Sequence, residues 1–302
     1  MSEQQYHVPV LLPEALEWLD IRPDGIYIDA TFGGGGHSRA IMERLGPSGH
    51  LYSFDQDEDA VRRAWADDRF TMVYSNFRYM RNFMRYYGVD HVDGILADLG
   101  VSSHHFDDAS RGFSFRWEGA LDMRMNRYAT SSAADILAET SPERLAEIFR
   151  LYGELSNARR LASAIVKARE QAPVDTVERL LETVRPLINP RQEKKELAML
   201  FQALRIEVNK ELDALRDFLE ESLKVLSPGG RLVVITYHSL EDRLVKNFMR
   251  TGNLSGHDEK DFFGRRLSPM RTLTGRPIVA SPEELEVNPR SRSAKMRVAE
   301  RL

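Results

Sequence analysis

The chain has 302 residues, of which 42% are hydrophobic and 29% charged, and it contains no cysteine. This composition is typical of globular proteins and argues against disordered or fibrous classes. The lack of cysteine excludes disulfides, cysteine-ligated zinc, iron–sulfur clusters and thiolate nucleophiles. Aliphatic runs fall far short of the ~20 apolar residues that cross a bilayer. Because the first 15 residues also lack a signal-peptide pattern, we expect a cytoplasmic protein with no membrane partner.

Positive charge is concentrated in two separate blocks, although the formal net charge is −4. Residues 1–110 carry a net charge of −9, whereas residues 111–210 carry +3 and residues 262–302 carry +5. If the two basic blocks lie on one surface, that surface suits an anionic polymer such as nucleic acid. Ordinary solvated helix faces account for the counts equally well.

Short apolar runs alternate with amphipathic stretches over the first hundred residues, which is typical of βα units in a parallel sheet. The predicted strands cover residues 25–30, 50–55, 70–75 and 92–98, and the predicted helices cover residues 37–45, 57–66 and 78–87.

Residues 131–226 carry only helical signals. Among these signals are Ser141-Pro142 as cap and first helical residue, and Asp175 with Glu178 as a capping box. After these residues we predict a strand over 231–238, a helix capped by Ser239, an irregular stretch and a last strand over 295–302.

This order of elements predicts an α/β fold with a doubly wound, mostly parallel sheet and an inserted all-helical domain. The length, near the limit of about 250–300 residues for a single core, agrees with such an insertion. We expect a discontinuous sheet domain of residues 1–108 and 210–302, and a helical domain of residues 109–209.

Four consecutive glycines, Gly33 to Gly36, follow the first predicted strand. Glycine is favoured where a ligand approaches the main chain closely, and this position binds nucleotides in doubly wound sheets. The next strand ends in Asp55, 19 residues after Gly36, where a carboxylate typically accepts ribose hydroxyls.

Three ligands and a simple tight turn compete for this loop. His37-Ser38 replaces the Lys-Ser/Thr of a phosphate-binding P-loop, which excludes that motif. The dinucleotide fingerprint is matched loosely, because position 38 is serine. S-adenosylmethionine (SAM) is favoured because it has no phosphate and suits acidic strand ends, with Asp29 near its amino group and Asp55 on its ribose.

Further motifs occur in order along almost the whole chain. They are His7-Val8-Pro9-Val10-Leu11-Leu12, Asp93-Gly94-Ile95-Leu96-Ala97-Asp98-Leu99-Gly100, Arg111-Gly112-Phe113-Ser114-Phe115, Leu121-Asp122-Met123-Arg124-Met125, Phe201-Gln202-Ala203-Leu204-Arg205-Ile206, His238-Ser239-Leu240-Glu241-Asp242-Arg243 and Asn288-Pro289-Arg290-Ser291-Arg292. With these motifs the chain resembles the RsmH (MraW) family. Its members are bacterial SAM-dependent methyltransferases that modify N4 of one cytidine in 16S ribosomal RNA, at the decoding centre.

The resemblance implies a Rossmann-like class I methyltransferase domain interrupted by a helical domain. It implies that 16S rRNA or the small ribosomal subunit is the partner, and it leaves a homodimer open. The SAM contacts that it implies are Gly35, Gly36, His37, Asp55, Phe77, Asp98 and His105. The chain departs from the family pattern at His105, where glutamine is common.

Two residues are candidates for the chemistry. Asp98 ends the fourth predicted strand, where a carboxylate can accept a hydrogen from the exocyclic N4 and orient it toward the cofactor. His238 ends the fifth strand, where a histidine can contact the flipped cytosine or relay a proton. A structural role is the competing interpretation for both residues.

Arginines and aromatic residues in three parts of the chain suit RNA, since arginines bind phosphates and aromatic rings stack on unpaired bases. The candidate RNA contacts are Arg111, Arg116, Trp117 and Arg124 near the start of the helical insertion, Arg159 and Arg160 in a later helix, and Arg290 and Arg292 near the C-terminus. A base inside a duplex cannot present N4 to a buried methyl group, so we expect the target to be unpaired or flipped.

Two other functions stay open on the sequence alone. A nicotinamide-dependent oxidoreductase is disfavoured because the chain offers no second nucleotide-binding half. A non-catalytic ribosome-assembly factor is disfavoured because Gly35, Gly36, Asp55 and Asp98 are all present.

Overall fold

The computed structural model describes residues 9–101, 106, 108–265 and 267–302. The chain divides into two compact units. Unit 1 comprises the described residues of Met1–Gly100 and Leu212–Leu302, and unit 2 comprises those of Val101–Glu211.

Unit 1 contains a seven-stranded sheet, counted over the described residues, in the order β3-β2-β1-β4-β5-β7-β6. The strands are β1 (Ile26–Asp29), β2 (His50–Asp55), β3 (Phe70–Tyr74), β4 (Val92–Asp98), β5 (Leu226–Thr236), β6 (Met270–Thr272) and β7 (Lys295–Arg301). Strands β1 to β5 are parallel, and β7 is antiparallel to both of its neighbours. The predicted α/β fold with a mostly parallel sheet is therefore confirmed.

Successive residues of the central strands enter two different hydrophobic cores. Ile95 and Val234 belong to one core, whereas the adjacent Leu96 and Val233 belong to the other. Because side chains of a strand alternate between the two faces of a sheet, these cores lie on opposite faces. Both faces are buried, which explains why the strands read as continuous apolar runs.

The helices of unit 1 cover the two faces of the sheet. They are α1 (Leu12–Leu19), α2 (Gly36–Met42), α3 (Glu58–Val61), α4 (Met80–Tyr86), α10 (Glu211–Val225, from Leu212 onward), α11 (Ser239–Thr251) and α12 (Pro282–Val287). Helix α3 is much shorter than the predicted helix over 57–66. Strand β6 and helix α12 lie in or near the stretch predicted to be irregular, so neither element was predicted.

Unit 2 is built from helices around its own core. The helices are α5 (Ala133–Glu139), α6 (Pro142–Leu151), α7 (Ala158–Arg169), α8 (Val177–Val184) and α9 (Glu193–Asn209). Leu145, Phe149, Leu161 and Leu200 are among its buried residues. No helix in the described ranges is long and apolar enough to cross a bilayer.

The predicted helix caps were right at one position and wrong at two. Ser141 caps α6 as predicted, with its side chain accepting from the Arg144 amide. Thr176, and not Asp175, caps α8, with its side chain accepting from the Arg179 amide. The Glu178 carboxylate, which the predicted capping box requires, instead accepts from the Gly119 amide at 2.8 Å. His238 caps α11, so Ser239 is the first helical residue and not the cap.

Asn209, the last residue of α9, holds an irregular segment of unit 2 in place. Its Oδ1 accepts from the Met125 amide at 2.8 Å, and its Nδ2 donates to the Met123 carbonyl at 2.8 Å. Met123 is buried and has a φ of 61°, a strained conformation that outside contacts must maintain.

Replacing Asn209 with alanine should lower the free energy of unfolding of unit 2 by about 2–3 kcal/mol, because two backbone groups lose their partners. Urea unfolding followed by tryptophan fluorescence measures the loss. Asn126→Ala is the matched control, since the Asn126 side chain accepts an exposed bond from the Tyr128 amide. Equal losses in both variants would contradict the role assigned to Asn209.

Candidate active site

The glycine loop connects β1 to α2 at the carboxyl end of the sheet. Gly35 has a φ of 77°, and its amide donates to the Phe32 carbonyl at 2.7 Å. A Cβ at Gly35 would lie 2.8 Å from Phe32 Cζ, and one at Gly36 would overlap Pro9. Helix α2 begins at Gly36, so the first amides of this helix lack intrahelical acceptors.

Asp55, at the end of β2, reaches the glycine loop directly. Its Oδ2 accepts from the Gly33 amide at 2.8 Å, and its Oδ1 accepts from the Asp57 amide at 2.8 Å. Burial raises the pKa of Asp55 to about 6, although these two hydrogen bonds act in the opposite direction. The structure therefore brings together the predicted ribose-binding carboxylate and the predicted cofactor loop.

Asp29, at the end of β1, is 1% exposed and bonded internally. Its Oδ2 accepts from the Ser38 hydroxyl at 2.6 Å, and its Oδ1 accepts from the Thr31 amide at 3.1 Å. Burial raises the pKa of Asp29. Both carboxylate oxygens thus bind groups of the loop and of α2, and the placement of Asp29 near the SAM amino group stays a prediction.

Asp98, at the end of β4, is held through both its backbone and its side chain. Its amide donates to Thr31 Oγ1 at 2.7 Å, and the Tyr237 hydroxyl donates to Asp98 Oδ1 at 2.7 Å. The side chain is 22% exposed, and its other oxygen, Oδ2, lies 3.9 Å from His37 Nδ1. Withdrawal from bulk water raises the pKa of Asp98 to about 6, while His37 and Tyr237 oppose the rise.

His37 is buried, and its ring connects two parts of the site. Its Nε2 lies 3.0 Å from the Val10 carbonyl oxygen. Because a carbonyl only accepts, Nε2 carries the hydrogen and Nδ1 faces Asp98. The His37 ring is thus bonded within the protein, and its contact with a cofactor stays a prediction.

Thr31 and Tyr237 belong to the site although neither was predicted as a site residue. Thr31 precedes the glycines by two positions, and Tyr237 immediately precedes the candidate His238. Burial raises the pKa of Tyr237 well above its usual range, and the charge of Asp98 adds to this. Tyr237 therefore stays protonated at neutral pH and donates its hydrogen to the ionised Asp98.

His238 has a structural contact that competes with its predicted catalytic role. Its Nδ1 accepts from the Glu241 amide at 3.4 Å, and its Nε2 lies 3.2 Å from Glu241 Oε1. The Glu241 side chain in turn accepts from the Tyr237 amide at 2.9 Å. His238 and Glu241 thus fix the backbone turn that presents Tyr237 to Asp98.

Phe77 and His105 complete the predicted cofactor set. Phe77 starts a short 3₁₀ turn and packs edge-on against Phe218 at a centroid distance of 5.3 Å. Asn76 Nδ2 donates to Gln56 Oε1 at 2.9 Å, which links this turn to the residue after Asp55. His105 lies outside the described residues.

Two of the predicted RNA-contacting arginines are used inside unit 2. Arg111 is 2% exposed, and its Nη2 donates to the carbonyls of Arg124 and Met125. Arg124 forms a two-pronged ion pair with Asp122, at 2.9 and 2.6 Å. The prediction for Arg111 was wrong, because its buried guanidinium group holds the fold of the 111–125 segment. The RNA contact of Arg124, whose side chain is partly exposed, stays a prediction.

The other candidate RNA contacts lie on the surface. Exposed residues among them are Arg116, Trp117, Arg159, Arg160, Arg290 and Arg292. Trp117 is 52% exposed. Arg159 and Arg160 lie on α7, opposite the buried Leu161 and Ile165.

Comparisons with known proteins identify the family. The model of the MraW methylase family matches residues 4–302. The chain belongs to this family. It is 61% identical over 300 residues to the ribosomal RNA small subunit methyltransferase H of Phocaeicola vulgatus, covering 99% of both chains. It is 62% identical over 298 residues to the protein of the same name from Parabacteroides distasonis, covering 98% of both.

A solved structure also aligns with the chain over nearly its whole length. This structure, a putative rRNA methylase from Clostridium thermocellum, is 11% identical with a TM-score of 0.45, and the match covers 98% of this chain and 99% of that one.

Membership of the MraW methylase family confirms the resemblance stated from the sequence motifs. The family consists of SAM-dependent methyltransferases, so the predicted cofactor is confirmed as well. A nicotinamide-dependent oxidoreductase is thereby excluded.

Proposed function

We propose that this methylase transfers a methyl group from SAM to N4 of a specific cytidine in the decoding region of bacterial 16S rRNA. The observation that carries the proposal is Asp98 at the carboxyl end of β4, whose backbone amide donates to Thr31 Oγ1 and whose carboxylate accepts from the Tyr237 hydroxyl. Relatives that share about 60% of the sequence are named as methyltransferases of small-subunit ribosomal RNA, which supports the substrate class.

The charge of the site suits SAM. Asp29, Asp55 and Asp98 surround the glycine loop, and burial raises the pKa of each. A cation beside them offsets this cost, and SAM carries a sulfonium and an ammonium group, whereas a pyrophosphate would add negative charge. We propose that main-chain groups of Gly35, Gly36 and His37 bind the cofactor. In this proposal Asp55 binds the ribose, and Phe77 lies beside the adenine.

Asp98 has the chemistry that an exocyclic amine needs. Bound SAM supplies an activated methyl group, and the N4 lone pair must be directed at it in line. That lone pair is delocalised into the cytosine ring, and a hydrogen bond from the amino group to Asp98 Oδ2 localises it on nitrogen. With a pKa of about 6, Asp98 is ionised at neutral pH and also has the basicity to take the proton that N4 releases.

The lack of cysteine separates N4 from the neighbouring acceptor on the same base. Methylation at carbon 5 of cytosine proceeds through a thiolate that attacks the ring, and this chain has no cysteine. Direct transfer to N4 needs no covalent intermediate. The composition therefore supports N4 over carbon 5.

Tyr237→Phe should shift the pH dependence of methyl transfer. The rate should fall as pH drops through the pKa of Asp98, because the carboxylate becomes protonated there. Bound SAM brings positive charge to the site and holds this pKa below the value of about 6 in the ligand-free chain. Removing the Tyr237 hydroxyl removes a hydrogen bond that lowers the pKa of Asp98, so the midpoint should move to higher pH. Single-turnover rates between pH 5 and 9 measure this shift. A uniformly lower rate with an unmoved midpoint would mean that Tyr237 serves only the fold.

Arg159 and Arg160 are proposed to contact RNA phosphates. Changing both to glutamine should make the plot of log affinity against log salt shallower by about 1–2, because fewer counterions are released. Fluorescence anisotropy with rRNA at several salt concentrations measures the slope, and calorimetry checks that SAM affinity is retained. An unchanged slope would remove these two residues from the interface.

Transfer of labelled methyl groups tests the proposal as a whole. Small subunits from a strain lacking the gene, incubated with this chain and labelled SAM, should take up label in their rRNA. Subunits from the parent strain should not. No incorporation into either set would favour the non-catalytic assembly factor.

A further inference from the structure

A short hairpin of unit 1, described over residues 259–265 and 267, displays two phenylalanines to solvent. Phe262 is 98% exposed and Phe263 is 79% exposed. The rings stand edge to face, with centroids 5.7 Å apart and planes at 87°. Loop tips normally carry small or polar residues, so adjacent exposed aromatic rings indicate a surface that contacts something else.

The hairpin is built to hold this tip in a fixed shape. The Leu267 amide donates to the Glu259 carbonyl at 2.8 Å, and the Asp261 amide donates to the Arg265 carbonyl at 2.8 Å. The Asp261 Oδ1 accepts from the amides of Phe263 and Arg265, at 2.9 and 2.8 Å. The tip is therefore ordered before any partner binds, which reduces the entropy lost on binding.

The base of the hairpin is joined to α11. Arg250, on that helix, donates through Nη1 to Asp258 Oδ2 at 3.0 Å and through Nη2 to the Gly256 carbonyl at 2.8 Å. Strand β6 starts three residues after Leu267 and pairs with β7. The phenylalanines are thus mounted on the sheet domain that carries the candidate active site.

The charges around the rings favour nucleic acid. The Arg265 guanidinium lies 5.7 Å from the centroid of the Phe263 ring, and Lys260 is exposed on the other arm. Oδ1 of Asp261 accepts from two backbone amides, and the sequence over 259–267 carries a net charge of +1. Aromatic rings beside guanidinium groups stack on unpaired bases, while the cations attract phosphates.

We propose that this hairpin, described over residues 259–265 and 267, binds single-stranded RNA by stacking Phe262 and Phe263 on unpaired bases. The inference rests on the proposed function, since it assigns this surface to the RNA substrate. It gives the sheet domain an RNA contact in addition to the candidate residues Arg290 and Arg292.

Fluorescence anisotropy with a labelled 12-nucleotide oligocytidylate tests the proposal on the full chain. Changing both Phe262 and Phe263 to alanine should weaken binding at least about tenfold, and changing both to leucine should not restore it, because leucine cannot stack. Tyr86→Ala is the matched control, since Tyr86 is an aromatic residue of unit 1 that is 81% exposed. This control should bind as the unchanged chain does.

Three results would overturn the proposal. The first is affinity of the alanine variant within twofold of the unchanged chain, and the second is full binding by the leucine variant. The third is an alanine variant that no longer binds phosphatidylglycerol vesicles, which the unchanged chain binds, but still binds RNA. That result would assign the hairpin to a lipid surface. Methyl transfer by the unchanged chain is measured separately, so its absence would count against the proposed function and not against the hairpin.

Discussion

Asp98→Asn should slow methyl transfer by at least about 100-fold at saturating SAM. Asparagine keeps the shape of the side chain and still accepts from Tyr237, but it loses the charge that takes up the N4 proton. Correctly placed acid–base groups contribute about 10²–10⁴-fold to rates. Single-turnover assays on undermethylated small subunits measure the effect directly.

Asp93→Asn provides the matched control for this experiment. Asp93 lies on the same strand, β4, but it pairs with Arg22 and accepts from the Ile26 amide at 2.8 Å. We expect near-normal transfer from this variant, with at most a small loss of stability. A rate for Asp98→Asn within threefold of the unchanged chain would remove Asp98 from the chemistry.

Gly35→Ala should weaken SAM binding about tenfold or more. At a φ of 77° an alanine is strained by about 1–2 kcal/mol, and its Cβ would lie 2.8 Å from Phe32 Cζ. Relief of this strain moves the loop, and a loss of about 1.4 kcal/mol corresponds to a tenfold change in affinity. Isothermal calorimetry with SAM measures it.

Gly34→Ala is the internal control, because it adds the same methyl group one residue earlier. No described atom lies within 4 Å of a Cβ at Gly34, and Gly34 is not among the glycines with positive φ. Its affinity for SAM should stay within about threefold. If both variants lost affinity equally, the strain at Gly35 would not be the cause.

The parallel part of the fold could be predicted from local patterns. Strands β1 to β4 coincide with apolar runs between amphipathic stretches, and β1, β2 and β4 each end in an aspartate. Strand β6 and helix α12 have no such pattern, since β6 has three residues and depends on pairing with β7. A strand of this kind is determined by tertiary contacts that local sequence does not encode.

The position of the candidate site could also be predicted, but not its internal bonding. Asp55 and Asp98 end β2 and β4, the two parallel strands on either side of β1, so their position at one edge of the sheet follows from the sequence. Tyr237 reaches Asp98 only because β5 pairs with β4 in a register that places Ile235 opposite Asp98. That register cannot be read from either strand alone.

The arginines show which part of the surface could be predicted. On α7, the buried Leu161 and Ile165 indicate that Arg159 and Arg160 face outward. The same spacing places Arg169 on the buried side, where it donates to the Leu137 and Thr140 carbonyls. Arg111 and Arg124 lie in irregular backbone, where no period reveals that their partners are carbonyls and Asp122.

Nucleoside analysis of the methylated rRNA tests the central claim most directly. Small subunits from a strain lacking the gene are incubated with this chain and SAM, and their rRNA is digested and examined by mass spectrometry against authentic standards. We predict that N4-methylcytidine appears at one position, in the decoding region of 16S rRNA. The appearance of 5-methylcytidine or of a ribose-methylated nucleoside in its place would contradict the account.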